Sequence, residues 1–321
     1  MAFGGLVAFY ICFYFKLQDG YWAIISIAAV TQHDYLTTCY KTLLRLSGTA
    51  LGASFAYGCI LLFPTAWLTL LFFSGLFLCI ALSLAASKYR YFMIVAGITY
   101  TLVMCSGLIS SIEKMAIIRT YEVFLGCFIC LAMAFLCRFI FKNATGSRVL
   151  INLQFKFHKT IVLEALMLTV ACAITFVTWQ WLDYPLGFWG TISCLFVIEE
   201  DIGTSFHNAF KRVLAHVCIV GFAAIVAVYI PGSNPWVALP MGLGLFFSGY
   251  TLGIKTTWLK NIGNTMGIAL AAMLLTTSPG MTQEDIVMWR FINIIYGVTV
   301  AFLTMYIIGR WVSKSSIVPD R

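Results

Sequence analysis

Tyr21-Trp22-Ala23-Ile24-Ile25-Ser26-Ile27-Ala28-Ala29-Val30-Thr31 runs for eleven largely apolar residues and stops at Gln32-His33-Asp34. Phe188 to Ile198 does the same and stops at Glu199-Glu200-Asp201. Eleven helical residues rise about 16 Å, whereas a bilayer's hydrocarbon core is about 30 Å thick. Two apolar helices too short to cross lipid, each followed by a polar cluster, decide how the rest of the chain is read.

The two stretches are copies. Laid over Phe188–Val217 at an offset of 167, Tyr21–Ala50 matches Trp22 to Trp189, Ser26 to Ser193, Asp34 to Asp201 and Arg45 to Arg212. Further on, Trp67 and Gly75 meet Trp236 and Gly244 at an offset of 169. Arg90-x6-Gly97 meets Lys260-x6-Gly267 at 170, and Arg119-x6-Gly126 meets Arg290-x6-Gly297 at 171. The offset grows slowly and in one direction, as a duplicated chain with small loop insertions requires. At offset 167 Met1 corresponds to Leu168, inside a span, so the first helix reads as clipped.

Composition sets the environment of these helices. Of 321 residues, 61% are hydrophobic and 10% charged, with mean hydropathy +0.94. A soluble domain carries roughly 25% charged residues, so lipid must face much of this chain. Hydropathy gives spans near 1–16, 21–32, 43–63, 66–86, 91–108, 118–141, 161–182, 188–199, 213–230, 236–253, 261–277 and 287–309. Sorting Lys and Arg by alternating side leaves sixteen on one face and four (Lys16, Lys114, Arg119, Arg290) on the other. The positive-inside rule then puts both termini in the cytoplasm. The formal charge of +8 follows from topology and needs no nucleic-acid partner.

The expected fold is an all-α, polytopic transmembrane bundle of about twelve helices, arranged as two parallel six-helix repeats. Its segments are a first repeat over 1–142, a cytoplasmic linker over 143–160, a second repeat over 161–312 and a cytoplasmic tail over 313–321.

Short apolar segments at matched places of two repeats point to a transporter's binding site. Helices starting at Asp34 and Asp201 carry Lys41 and Arg45, then Asn208, Arg212 and His216, at four-residue spacing that shares one face. Arg45 and Arg212, with Lys41 and Asn208, are the candidates to face an anion, and Trp22 and Trp189 to line an aromatic substrate path. His33, Asp34, Glu199, Glu200 and Asp201 are the proton-carrying candidates, because carboxylates desolvated together cannot all ionise. The plainer alternative makes Asp34 and Asp201 helix N-caps.

Other features carry less. The eleven cysteines are scattered through apolar segments, and Cys127-x2-Cys130 has no partners at ligand spacing, so no metal or other cofactor is expected. Gly48-x3-Gly52 and Gly263-x3-Gly267 read as close helix contacts. Arg119 and Glu122 stand one turn apart near the outer end of their span and pair, whereas Asn293 replaces that acid in the second copy. Glu164 is an intramembrane ionisable residue that can also snorkel. Asn143-Ala144-Thr145 matches a glycosylation sequon but falls on the cytoplasmic side. Met1–Phe15 has neither a basic leader nor a small-residue cleavage site, and so reads as a helix.

Gly20-Tyr21-Trp22-Ala23, the short apolar run and Arg45-x2-Gly48-Thr49-x2-Gly52 together resemble the fusaric-acid-resistance (FUSC) family of the aromatic acid exporter superfamily. In the second copy, Gly187-Phe188-Trp189 through Arg212 keeps the Trp and Arg but has Ala215 and Ile219 in place of the glycines. The resemblance implies an inner-membrane exporter of aromatic or other organic acids, driven by the proton gradient. Fuller members carry a large cytoplasmic domain after each six-helix set, which this sequence lacks, and related plant members resemble anion channels.

The leading expectation is therefore a multi-pass plasma-membrane transporter that exports organic carboxylates with proton coupling. An anion channel is the alternative, and a membrane scaffold the third. An enzyme is not expected, because no Ser-centred elbow, phosphate loop or metal spacing occurs. The expected partners are a small organic anion, the lipid bilayer and, as a candidate, a second copy of the chain.

Overall fold

A computed structural model of the chain describes residues 1–17, 20–85, 89–107, 112–140, 159–196, 202–230, 234–254, 257–276 and 280–315. Within them lie twelve α-helices in chain order. They are α1 (Ala2–Tyr14), α2 (Tyr21–Val30), α3 (Tyr35–Leu62), α4 (Thr65–Ala85), α5 (Arg90–Gly107) and α6 (Ile112–Ile140), followed by α7 (Lys159–Leu182), α8 (Phe188–Phe196), α9 (Ile202–Tyr229), α10 (Ala238–Leu252), α11 (Thr257–Leu275) and α12 (Gln283–Ser315). A single 3-10 turn, Pro235–Val237, leads into α10. The helices follow the twelve hydropathic segments in order. α3 and α9 begin at Tyr35 and Ile202, next to Asp34 and Asp201 as expected and ahead of the apolar spans at 43–63 and 213–230, because the helix continues through the polar turns bearing Lys41, Arg45, Lys211 and Arg212, where no breaker stops it.

Four helices are long and apolar enough to cross a membrane, over Ala66–Ala85, Ala116–Ile140, Ile161–Leu182 and Gln283–Ile307. Five shorter apolar helices, including Tyr21–Val30, accompany them among the described residues. This is an all-helical, multi-pass membrane protein. Most of the linker (143–158) and the end of the tail (316–321) lie outside the described residues.

The chain divides into two compact units, each drawing segments from both halves of the sequence. One comprises Met1–Leu51, Glu113–Asn152 and Lys211–Phe291, the other Gly52–Ile112, Leu153–Phe210 and Ile292–Arg321. In the first unit α1 packs on α2, α2 on α11, α11 on α10 and α10 back on α1. In the second, α7 packs on α8, α8 on α5, α5 on α4 and α4 back on α7. Each unit is thus built on a closed ring of four helices.

Within the first ring α2 is covered all round, and every one of its ten residues is buried. Its tight neighbour is α6: a side chain added at Gly126 would stand 2.7 Å from the carbonyl carbon of Ala23. In the second unit Gly297 of α12 approaches the backbone of α8, where an added Cβ would stand 2.8 Å from the carbonyl carbon of Gly190. Gly52, Gly263 and Gly267 are also close helix contacts, against Ala96, Thr251 and Ser248. Smaller details recur in the same places. Lys16 and Asp183 both end their helices in the left-handed region, at φ 52° and 47°, which only a few per cent of non-glycine residues adopt. Ser26 and Ser193 each donate to the carbonyl one turn back, Trp22 O and Trp189 O, at 2.7 Å.

Candidate functional site

The site is built along α2 and lies wholly within the first unit. At the start of α2, Tyr21 and Trp22 pack ring against ring, with centroids 5.4 Å apart. Arg119, from the second turn of α6, donates through Nη1 to the Tyr21 hydroxyl at 3.3 Å. Its guanidinium carbon lies 4.7 Å from the centre of the Trp22 ring and 5.6 Å from that of Tyr21. Arg290, in the second turn of α12, brings its own guanidinium carbon to 5.4 Å from the Tyr21 ring. A cation over an aromatic face at these distances is attracted by the ring quadrupole, by about 2 kcal/mol when desolvated.

Both arginines are inside the protein, Arg119 at 6% exposure and Arg290 at 0%. Glu122, one turn beyond Arg119 on α6, is also at 0%. Asn293, at the place corresponding to Glu122, donates instead through Nδ2 to Pro185 O at 2.9 Å, inside the second unit.

One turn further along α2, Ser26 receives Arg45 of α3, whose Nη2 donates to Ser26 Oγ at 3.5 Å. Beyond Thr31, the far end of α2 opens into a pocket of about 420 Å³ lined by Gln32, His33, Asp34, Thr38, Cys130 and Arg138, among others. There Arg138, in the last turn of α6, sits 4.8 Å over the Tyr35 ring.

The residues singled out in the sequence meet different fates. Arg45 is buried against the middle of α2. Trp22 is buried beneath Arg119, and Trp189 is buried in α8 beside Phe188, with ring centroids 5.5 Å apart. Lys41 is half-buried one turn before Arg45. Asp34 caps α3, its Oδ1 accepting from the Thr37 N–H at 2.8 Å, as the plainer alternative required. His33 is exposed at the pocket. Glu199, Glu200 and Asp201 lie outside the described residues, as do the side chains of Asn208 and Arg212. The sequence reading did not pick Tyr21, and it took Arg119 as one half of a local pair. The available signal was the Arg-x6-Gly motif kept in both halves, since a cation retained inside two apolar helices is too costly to be incidental.

No group of three or more metal-ligating side chains occurs among the described residues; the groups gathered here are guanidinium groups and aromatic rings. No curated protein and no solved structure matches the chain. The family model described as fusaric acid resistance protein-like matches residues 7–133 and 170–304. Those two segments make up most of the chain, which therefore belongs to the fusaric acid resistance protein-like family.

Proposed function

We propose that the protein exports organic carboxylates, aromatic ones above all, in a proton-coupled cycle, with Arg119, Arg290, Tyr21 and Trp22 as the outer anion site. The family is one of membrane transport and efflux, which supplies the class of activity. The observation that carries the finer reading is the convergence of two buried guanidinium groups, from α6 and α12, on one aromatic pair. A cation in the membrane interior marks an ion or substrate path. A carboxylate meets the guanidinium fork in bidentate fashion, and an aromatic ring fits against Trp22 and Tyr21. In this reading the proton-carrying groups are Glu122 beside Arg119 and the acids following the short helices, Asp34 with Glu199, Glu200 and Asp201. Arg212 stands to α8 as Arg45 stands to α2.

The reading includes the duplication. Exchanging α1, α2, α10 and α11 for α7, α8, α4 and α5 turns one helix ring into the other. The glycine contacts, the two left-handed residues and the two serine bonds fall at the offsets found in the sequence. A duplicated six-helix unit accounts for all of these, and the reading takes the two copies in the same orientation with both termini cytoplasmic, on the basic residues sorted by side.

Reconstituted vesicles loaded with benzoate test the function. Outward flux is expected to respond to an imposed proton gradient, and to be lost in Arg119→Gln and Arg290→Gln while both variants still fold. Flux that ignores the proton gradient but follows the membrane potential favours the anion-channel alternative. Undiminished flux in both variants would refute the site.

A further inference from the structure

We propose a second anion station at Arg45, one helical turn along α2 from the outer aromatic site, so that a carboxylate passes between guanidinium groups on its way through the first unit. The inference rests on the carboxylate reading above and adds a site to it.

Arg45 is 5% exposed, and its hydrogen bonding is nearly empty. Of its donors, only Nη2 reaches a partner, the Ser26 hydroxyl at 3.5 Å, and Nε has none. Ser26 is already donating to Trp22 O, so its oxygen is a weak acceptor for the guanidinium and no counter-charge. Among the described residues no carboxylate pairs with Arg45. One turn further on α3, the Thr49 hydroxyl is also buried and without a hydrogen-bond partner. A guanidinium has five donors and cannot shed its charge. Buried and unpaired, it therefore calls for an anion, and Thr49 offers that anion a further hydroxyl.

Position makes Arg45 a step and not an isolated site. Trp22 and Ser26 are four residues apart, which is about 6 Å of helix. Ile27 and Thr31, next along α2, line the pocket that holds His33 and Arg138. Arg119 and Arg138 lie nineteen residues apart on α6, about 28 Å of helix, close to the hydrocarbon thickness of about 30 Å. Arg45 thus stands between the outer cluster and the pocket. Sites that hold an ion in succession, none too tightly, are what passage through a membrane requires.

The test is equilibrium binding of radiolabelled benzoate to the purified full chain in nanodiscs. Relative to the unaltered protein, Arg45→Gln is expected to give up one bound equivalent per chain. Arg119→Gln is expected to give up a different one, so that the double variant lacks both. If Arg45→Gln does not fold, Arg45→Lys is measured instead. Its point charge should keep the equivalent at an affinity about tenfold to a hundredfold weaker, the cost of losing a charged hydrogen bond. Unchanged stoichiometry and affinity in the Arg45 variants would overturn the second station and leave the outer site standing. No saturable benzoate binding to the unaltered chain would overturn the carboxylate reading itself, and this station with it.

Discussion

Gly126 and Gly297 are the positions where the structure is least able to absorb a change, and they test packing and duplication together. A Cβ at Gly126 would lie 2.7 Å from the Ala23 carbonyl carbon and 2.8 Å from its Cα, with the carbonyl oxygen nearer still. At Gly297 the corresponding distances to Gly190 are 2.8 and 2.9 Å. Carbon atoms pack best at about 3.5–4.0 Å, so each alanine needs roughly a further 0.8 Å between two helices. The obstacle is backbone, and no rotamer change relieves it. Overpacking typically costs about 1–3 kcal/mol, and a rigid neighbour puts both variants at the upper end, near 3 kcal/mol. That is about two powers of ten in the folding equilibrium. Gly58 and Gly221 supply the controls, because an added Cβ meets nothing within 4 Å at either. Alanine there should be neutral or stabilising by up to about 1 kcal/mol through helix propensity. Thermal unfolding in detergent, followed by a thiol-reactive dye, reads the transition directly, since nine of the eleven free cysteines, all but Cys137 and Cys218, are buried or half-buried. Gly126→Ala and Gly297→Ala should lower the midpoint by similar amounts, and the controls should not. Tolerance equal to that of the controls would refute the close contacts, and a large loss in only one of the pair would refute their equivalence.

Arg119→Lys and Arg290→Lys should retain part of the benzoate affinity that the Gln variants lose, because Lys supplies the charge without the planar fork that stacks and binds a carboxylate bidentately; equal affinity in Lys and Arg forms would remove the fork from the account. Glu122 is a buried acid one turn from Arg119, so in the proposed site its protonation should tighten anion binding as pH falls. Glu122→Gln should bind tightly at every pH, and a sloping profile that survives in this variant would place the titrating group elsewhere. Asp34→Asn keeps the capping oxygen and should leave the melting point unchanged, whereas Asp34→Ala should cost about 1 kcal/mol of stability; loss of proton-dependent flux in the stable Asn form would assign the proton to the pocket end. Reporter fusions after Lys88, Lys156 and Lys255 should read cytoplasmic and those after Pro64 and Pro231 external, and an external signal at Lys156 would end the twelve-span topology.

The elements were legible because apolar runs of helical length are separated by breakers such as Phe63-Pro64-Thr65, and the described helices follow those runs in order. What hydropathy could not give was the partner of each helix. α1 and α2 pack on α10 and α11, which come from the other half of the sequence. Nothing in an apolar surface names its neighbour, since in lipid the contact is chosen by small residues and backbone fit. Gly126 against Ala23 and Gly97 against Cys79 are such choices. A glycine in the sequence announces that some backbone comes close, and leaves open which one.

The candidate site was half legible for a related reason. The short apolar runs at Tyr21 and Phe188 pointed to α2 and α8, but the polar residues that follow drew attention to one end of α2. Those residues do local work there: Asp34 caps α3, and Thr38 Oγ1 accepts from the Gln32 N–H at 3.0 Å. The buried charges sit at the other end and in the middle, on α6, α12 and α3, at distances in sequence that only the folded chain closes. Sequence position put Arg119 and Arg290 near a membrane surface, where an arginine is cheap; the fold buries both against Tyr21 and Trp22, where each needs a partner. This also explains why α2 is short. A helix with all ten residues buried has protein for its surroundings and need not match the thickness of lipid. Its brevity leaves its start to the guanidinium groups of Arg119 and Arg290 and its far end to the polar pocket that Asp34 and His33 line.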